Sequence, residues 1–192
     1  MQVRRSALLV AVGAVVVLDG CGDSTAFRAQ FANEERALTA YAMNGTAPSL
    51  PSAVAVRAGS VVRIDPTFAF DLAFDMDEVG AVRVYSVRRV AGEVSRVSRV
   101  GFRIDSISPF DLITKAPTSG FAYDTALALV VGQTLLIDVI DNSCVGQSFL
   151  GFNIRAKLMM DSVNATSRAI AFRILSNPNC GFRSLVVGIP KE

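Results

Sequence analysis

Residues 67–77 read TFAFDLAFDMD. Phe68, Phe70, Leu72, Phe74 and Met76 occupy every second position, and Asp71, Asp75 and Asp77 fall on the alternate ones. Successive side chains of a strand point to opposite faces. This stretch therefore predicts a half-buried antiparallel strand with an apolar inner face and an acidic outer one.

The same period recurs on both sides of it. Val82 and Val84 alternate with Arg83 and Tyr85, and Val100, Phe102 and Ile104 alternate with Arg99, Arg103 and Asp105. Further on, Phe152, Ile154, Ala156, Leu158 and Met160 alternate with Asn153, Arg155, Lys157 and Asp161. Ile170, Phe172 and Ile174 supply the inner face of the next segment, and the polar connection 162–167 makes these last two a long hairpin. The run 135–140 is continuously apolar apart from Asp138 and predicts a central strand covered on both sides. Helical signals are short: one turn at 110–115 before Pro117, and a helical start at 33–42. Many short alternating segments separated by Gly, Pro and Asn predict an all-β fold, an antiparallel β-sandwich of eight to ten strands of immunoglobulin-like or jelly-roll-like kind. The triplets Val94-Ser95-Arg96 and Val97-Ser98-Arg99 are too short to found a repeat architecture.

Composition bounds what such a domain does. The 192 residues carry 19 basic and 17 acidic side chains, no histidine and no tryptophan. So small a net charge gives no pull toward nucleic acid. Without histidine there is no Ser-His-Asp or Cys-His arrangement, no HExxH zinc site and no facial triad. The nearest approach to a nucleophile elbow, Gly146-Gln147-Ser148-Phe149-Leu150, has Leu150 where the second glycine belongs. These exclusions predict a protein that is not an enzyme and holds no cofactor.

The chain starts with Arg4 and Arg5, followed by an apolar run over 7–18 and then Leu18-Asp19-Gly20-Cys21. A basic start, a short apolar run and a small residue before the cut form an export signal. A run of this length falls short of the ~20 residues that cross a bilayer, and for simple secretion Ser24-Thr25-Ala26 offers the nearest alternative cleavage site. The last four residues resemble the lipobox of bacterial lipoproteins, with Leu18 three before the cysteine and Gly20 just before it. The resemblance covers residues 1–21. It implies that 1–20 is a signal peptide and that Cys21 becomes the lipid-modified first residue, anchoring the protein in a membrane of the bacterial envelope. By the same resemblance Gly22, in place of Asp, permits transfer to the outer membrane. Residues 21–36 then read as a flexible tether and 37–192 as one β-sandwich domain.

With Cys21 assigned to lipid, Cys144 and Cys180 remain as an even pair in an exported chain, beside turn residues Asp141-Asn142-Ser143 and Asn177-Pro178-Asn179. They predict a disulfide closing a loop of about 37 residues, worth about 4 kcal/mol. Asn44-Gly45-Thr46 and Asn164-Ala165-Thr166 match the glycosylation sequon and read as turns.

One cluster carries possible chemistry. Asp71, Asp75, Asp77 and Glu78 lie together in sequence, and Asp75 and Asp77 stand about 6.6 Å apart on one strand face. Asp75-Met76-Asp77-Glu78-Val79-Gly80 begins like a calcium loop, yet Val79 and Ser86 stand where further oxygens belong. A solvated strand face is the first reading of this cluster, with calcium held by Asp75, Asp77 and Glu78 as the second. Glycoside hydrolysis by a carboxylate pair is the third, although the phenylalanines point to the opposite face. The expectation is a non-catalytic, lipid-anchored envelope protein with a binding or scaffolding role. Its partner is an envelope protein, a glycan or a small molecule; a carbohydrate-active enzyme and a calcium-stabilised adhesion module are the alternatives.

Overall fold

The computed structural model describes residues 28–92, 98–148 and 150–191. The export signal, the lipobox with Cys21 and Gly22, and most of the 94–99 triplets lie outside these residues. Among the described residues are eleven strands: β1 Glu34–Tyr41, β2 Ala53–Ala55, β3 Ser60–Val62, β4 Leu72–Met76, β5 Val82–Ser86, β6 Arg99–Asp105, β7 Ala122–Tyr123, β8 Ala126–Leu129, β9 Thr134–Ile140, β10 Asn153–Asn164 and β11 Ala169–Asn177. One helix, α1 Val87–Ala91, follows β5. The strands form two antiparallel sheets, one in the order β1-β11-β10-β9-β6-β7 and one in the order β3-β2-β4-β5-β8. The chain passes from one sheet to the other four times, and the two pack as a sandwich. None of the described helices is long and apolar enough to cross a membrane.

The core between the sheets is built by the period-two pattern. Leu72, Phe74 and Met76 of β4 are buried, as are Val82 and Val84 of β5, Val100 and Phe102 of β6, and Ile170, Phe172 and Ile174 of β11. Phe74 meets Phe172 across the gap with ring centroids 5.1 Å apart, which joins the middles of the two sheets. The predicted strand at 67–77 is shorter than its pattern. Phe68 sits at φ 49° after a turn at Asp65, and regular pairing begins only at Leu72. The β10–β11 hairpin forms as expected, with β10 running on to Asn164.

The larger sheet departs from the simple one-wet-face expectation. Arg155 and Lys157 of β10, predicted to face solvent, are buried, and Phe152 is 49% exposed. A second apolar cluster of Phe110, Ile113, Ala116, Leu136, Leu175 and Leu185 lies on the outer face of this sheet. Leu136 and Leu175 are the sheet's own residues on that face; the cover comes from Phe110, Ile113 and Ala116, in and after the turn of 3-10 helix at Phe110–Leu112, and from Leu185 in the segment after β11. The continuous apolar run of β9 follows from this double cover: Thr134 to Val139 are all buried.

The predicted helical start at 33–42 is instead β1, which pairs along its length with β11, Leu38 opposite Phe172. Its Glu-Glu-Arg-Ala-Leu sequence favours a helix locally, and the free edge of β11 overrides that preference. The domain also starts earlier than Ala37. Arg28 bridges to Lys191 and Asn33 to Gly188. The Asn179 side chain accepts from the Gln30 and Phe31 amides at 2.8 and 2.9 Å and donates to the Phe31 carbonyl. Of the predicted tether 21–36, residues 28–36 are thus part of the folded domain.

Candidate functional site

Cys144 and Cys180 form the predicted disulfide, with Cα atoms 5.6 Å apart. Each sits on the turn its neighbours predicted. The Asp141 carboxylate accepts from the Ser143 amide at 2.8 Å, and Asn177 Oδ1 accepts from the Asn179 amide at 3.0 Å. The bridge therefore clamps the loop after β9 to the loop after β11, at the end of the sandwich where β1 begins.

Arg57, in the turn between β2 and β3, lies over this bridge. Its guanidinium donates to Cys180 Sγ at 2.9 Å, to Ser143 Oγ at 2.5 Å and to the Pro178 carbonyl at 3.4 Å, and it stands 3.4 Å from the Asp141 carboxylate. Gly59, two residues on, has φ 56° and approaches β11 so closely that a Cβ there would meet Ser176 Oγ at 3.3 Å. The opposing loops also touch backbone to backbone, since a Cβ on Gly181 would stand 2.5 Å from the Leu150 carbonyl carbon.

Between these loops and the N-terminal stretch lies an open cleft of about 1000 Å³. Its walls come from residues 28–36, the Arg57–Gly59 turn, Gln147 and Ser148, and residues 176–182 around Cys180. Phe31 gives it apolar surface, with the edge of the largely buried Phe182 in its wall; Arg28, Arg36 and Arg57 give three cations against one acid, Glu34. Arg36 holds Glu34 at 2.5 Å in an exposed pair and donates to the Ala58 and Gly59 carbonyls. Among the described residues Arg28 has no acidic partner. The buried Ser176 hydroxyl on the cleft wall has no hydrogen-bond partner.

Asp71 belongs to this end of the molecule. Its carboxylate accepts from the Val56 amide at 2.7 Å. Burial pushes its pKa up to about 6; the Val56 bond opposes the rise, Asp141 adds to it and Arg57 reduces it. The other acidic candidates lie at the opposite end of β4. Asp75 accepts from the Asn44 side chain at 2.5 Å and from the Asn44 and Met76 amides, with Arg168 at 3.8 Å. Asp77 closes the β4–β5 turn by accepting from the Val79 and Ala81 amides at 3.0 and 2.8 Å, and Glu78 is exposed beside it. The structure therefore separates Asp71 from the other three and engages Asp75 and Asp77 in turns. Among the described residues no three His, Cys, Asp or Glu side chains are placed to hold a metal ion.

A second polar cluster, which the sequence did not suggest, lies on the outer face of the larger sheet. Asp138 accepts from Arg155, from the Tyr123 hydroxyl and from Asn153 Nδ2. Burial and the Asp138 carboxylate push the Tyr123 phenol up to about 12. Lys157 donates to the Phe110 and Ile113 carbonyls at 2.8 and 3.0 Å and lies 4.4 Å from the Phe110 ring; burial lowers its pKa. These contacts pin the covering segment to β9 and β10.

Sequence reading found the disulfide and missed the cleft, whose walls are drawn from four separate stretches of chain. Only the cysteine pair could have hinted at it, because bridging them brings 147–148 to 176–182. No known family model matches the chain, and a search of curated proteins finds no match.

Proposed function

We propose that this protein is a non-catalytic, lipid-anchored component of the bacterial cell envelope, held through Cys21, and that its sandwich domain binds a partner in the cleft beside the disulfide. The single observation that supports partner binding is the cleft itself: about 1000 Å³, walled by loops that the Cys144–Cys180 bridge clamps. That volume is at the upper end for ligand sites, and a pre-formed wall lowers the ordering cost of binding. The chemistry fits an anionic group carried on an apolar body. Exposed ion pairs are worth at most about 1 kcal/mol, so a carboxylate or phosphate displaces Glu34 from Arg36 at small cost and gains Arg28 as well. Phe31, with the edge of Phe182, receives the apolar part. The outer membrane is the proposed site of anchoring, from the resemblance at residues 18–22.

Two measurements test this. Labelled palmitate is expected in the wild-type protein and absent from Cys21→Ala; label persisting in the variant contradicts the anchor. For the cleft, anilinonaphthalene sulfonate serves as an anionic aromatic probe. One saturable site per chain is expected, weakened by tenfold or more in Arg28→Gln/Arg36→Gln, since a hydrogen bond to a charged group is worth about 1.5–3 kcal/mol. Binding that is unchanged in the double variant contradicts the assignment.

A further inference from the structure

The segments 28–33 and 184–191 run side by side at the disulfide end, joined by the Arg28–Lys191 and Asn33–Gly188 bridges. The Asn33 side chain also donates to the Ser184 and Val186 carbonyls at 3.0 Å each, so this ribbon is held in place. It leaves large apolar side chains in the open: Phe31 is 57% exposed, Val186 49%, Val187 62% and Ile189 57%. Within the two segments the charged residues are Arg28, Lys191 and no acid; Glu192, next in sequence, lies outside the described residues. Other large apolar side chains are exposed elsewhere, among them Val79, Ile107 and Leu112, but here four stand along one ribbon beside two cations, and such a group marks an interaction surface.

We infer that this ribbon rests on the membrane surface, with Phe31, Val186, Val187 and Ile189 entering the headgroup region and Arg28 and Lys191 facing anionic phospholipid. The inference rests on the lipid anchor proposed at Cys21. Six residues separate Cys21 from Arg28, and the seven fully extended steps between their Cα atoms span at most about 25 Å. The anchor therefore brings the end that carries the ribbon to the bilayer, and the folding of 28–36 into the domain removes the slack a longer tether would have given. An interface takes an aromatic ring with aliphatic and basic neighbours favourably. Each cation close to an anionic leaflet favours docking about fivefold. The occupant is a bilayer, and the geometry of the cleft, whose rim shares Phe31, puts the binding site next to it.

The chain contains no tryptophan, so single substitutions report position cleanly. The full-length lipidated protein is reconstituted in vesicles of phosphatidylethanolamine and phosphatidylglycerol containing brominated acyl chains. Phe31→Trp and Val187→Trp are expected to show blue-shifted emission and strong quenching by bromine. Val79→Trp, in the exposed β4–β5 turn at the opposite end, is expected to show neither. Arg28→Ser/Lys191→Ser in the Phe31→Trp background is expected to lower the quenched fraction, as is replacing phosphatidylglycerol by phosphatidylcholine. Intact mass determines whether Cys21 carries acyl chains. If it does and Phe31→Trp and Val187→Trp are quenched no more than Val79→Trp, the docking inference is overturned while the anchor stands. If the acyl mass is missing, the anchor fails and the docking inference with it.

Discussion

At the turn end of the sandwich, Asp75 and Asp77 accept hydrogen bonds from Asn44, Met76, Val79 and Ala81, and Arg168 reaches the Asn44, Met76 and Asp77 carbonyls. At the disulfide end, the same residue types surround a cleft: Arg28 has no acidic partner among the described residues, Ser176 has an unpartnered hydroxyl and Arg36 is held by an exposed glutamate. Asp75 and Asp77, the part of the acidic cluster that looked most like a calcium site in the sequence, are thus taken up by turn-making, and the end without a sequence motif keeps unspent polar groups. Polar groups that the fold does not engage are the ones left to meet a ligand under the proposed binding role, and the two ends differ on that point.

The largest break of this comparison comes from removing the bridge. Cys144→Ala/Cys180→Ala is expected to cost about 4 kcal/mol in guanidinium unfolding at neutral pH, and to abolish probe binding in the cleft under native conditions. A loss of stability with binding intact would show that the bridge does not shape the cleft.

Asp71→Asn separates the ends by pH. An acid whose folded pKa lies above its unfolded value of 3.8 binds more protons when folded, so stability falls as pH rises from about 4 through about 6. The shift of about two units corresponds to about 3 kcal/mol. Asp71→Asn is expected to flatten that decline, measured as unfolding free energy against pH, while its amide oxygen still accepts from Val56. The folded pKa of Asp105 is lowered by bonds from the Ser108 and Ile107 amides, opposed by burial, so its stabilisation is lost below about pH 4, in a separate window. An Asp71→Asn profile that overlies wild type contradicts the assignment.

Arg168→Ala strips three carbonyls of a donor at the turn end and is expected to cost about 2 kcal/mol by thermal or chemical unfolding, with probe binding at the cleft unchanged. The smallest effect concerns calcium. Asp75→Asn/Asp77→Asn is expected to lose the same stability with and without millimolar calcium, because the two carboxylates serve backbone and side-chain donors. A calcium-dependent melting temperature in wild type that disappears in the variant would restore the metal reading.

Much of this architecture was legible because period-two alternation reports one buried face. β5, β6 and β11 follow their patterns, and the unbroken apolar run of β9 announced cover on both sides. Arg155 and Lys157 were misread because nothing local shows that residues 110–116 and 185 fold back over them. β1 was misread because Glu34 to Leu38 favour a helix until the edge of β11 is present. The N-terminal boundary was set too late for a related reason: Arg28 to Asn33 carry no strand pattern and are held by Asn179 and the 184–191 segment, about 150 positions away. The same sequence distance hid the cleft, since Arg36, Arg57 and Phe182 become neighbours only when the sandwich closes.

The most direct test of the claim that the disulfide end is the binding end is an amide NMR titration of the protein with anilinonaphthalene sulfonate. The account predicts saturable shifts at Phe31, Gly59, Asn179 and Phe182, with Asn44, Gly80 and Asn164 at the turn end unmoved. Shifts centred on the turn end, or spread over both ends without saturation, would contradict it.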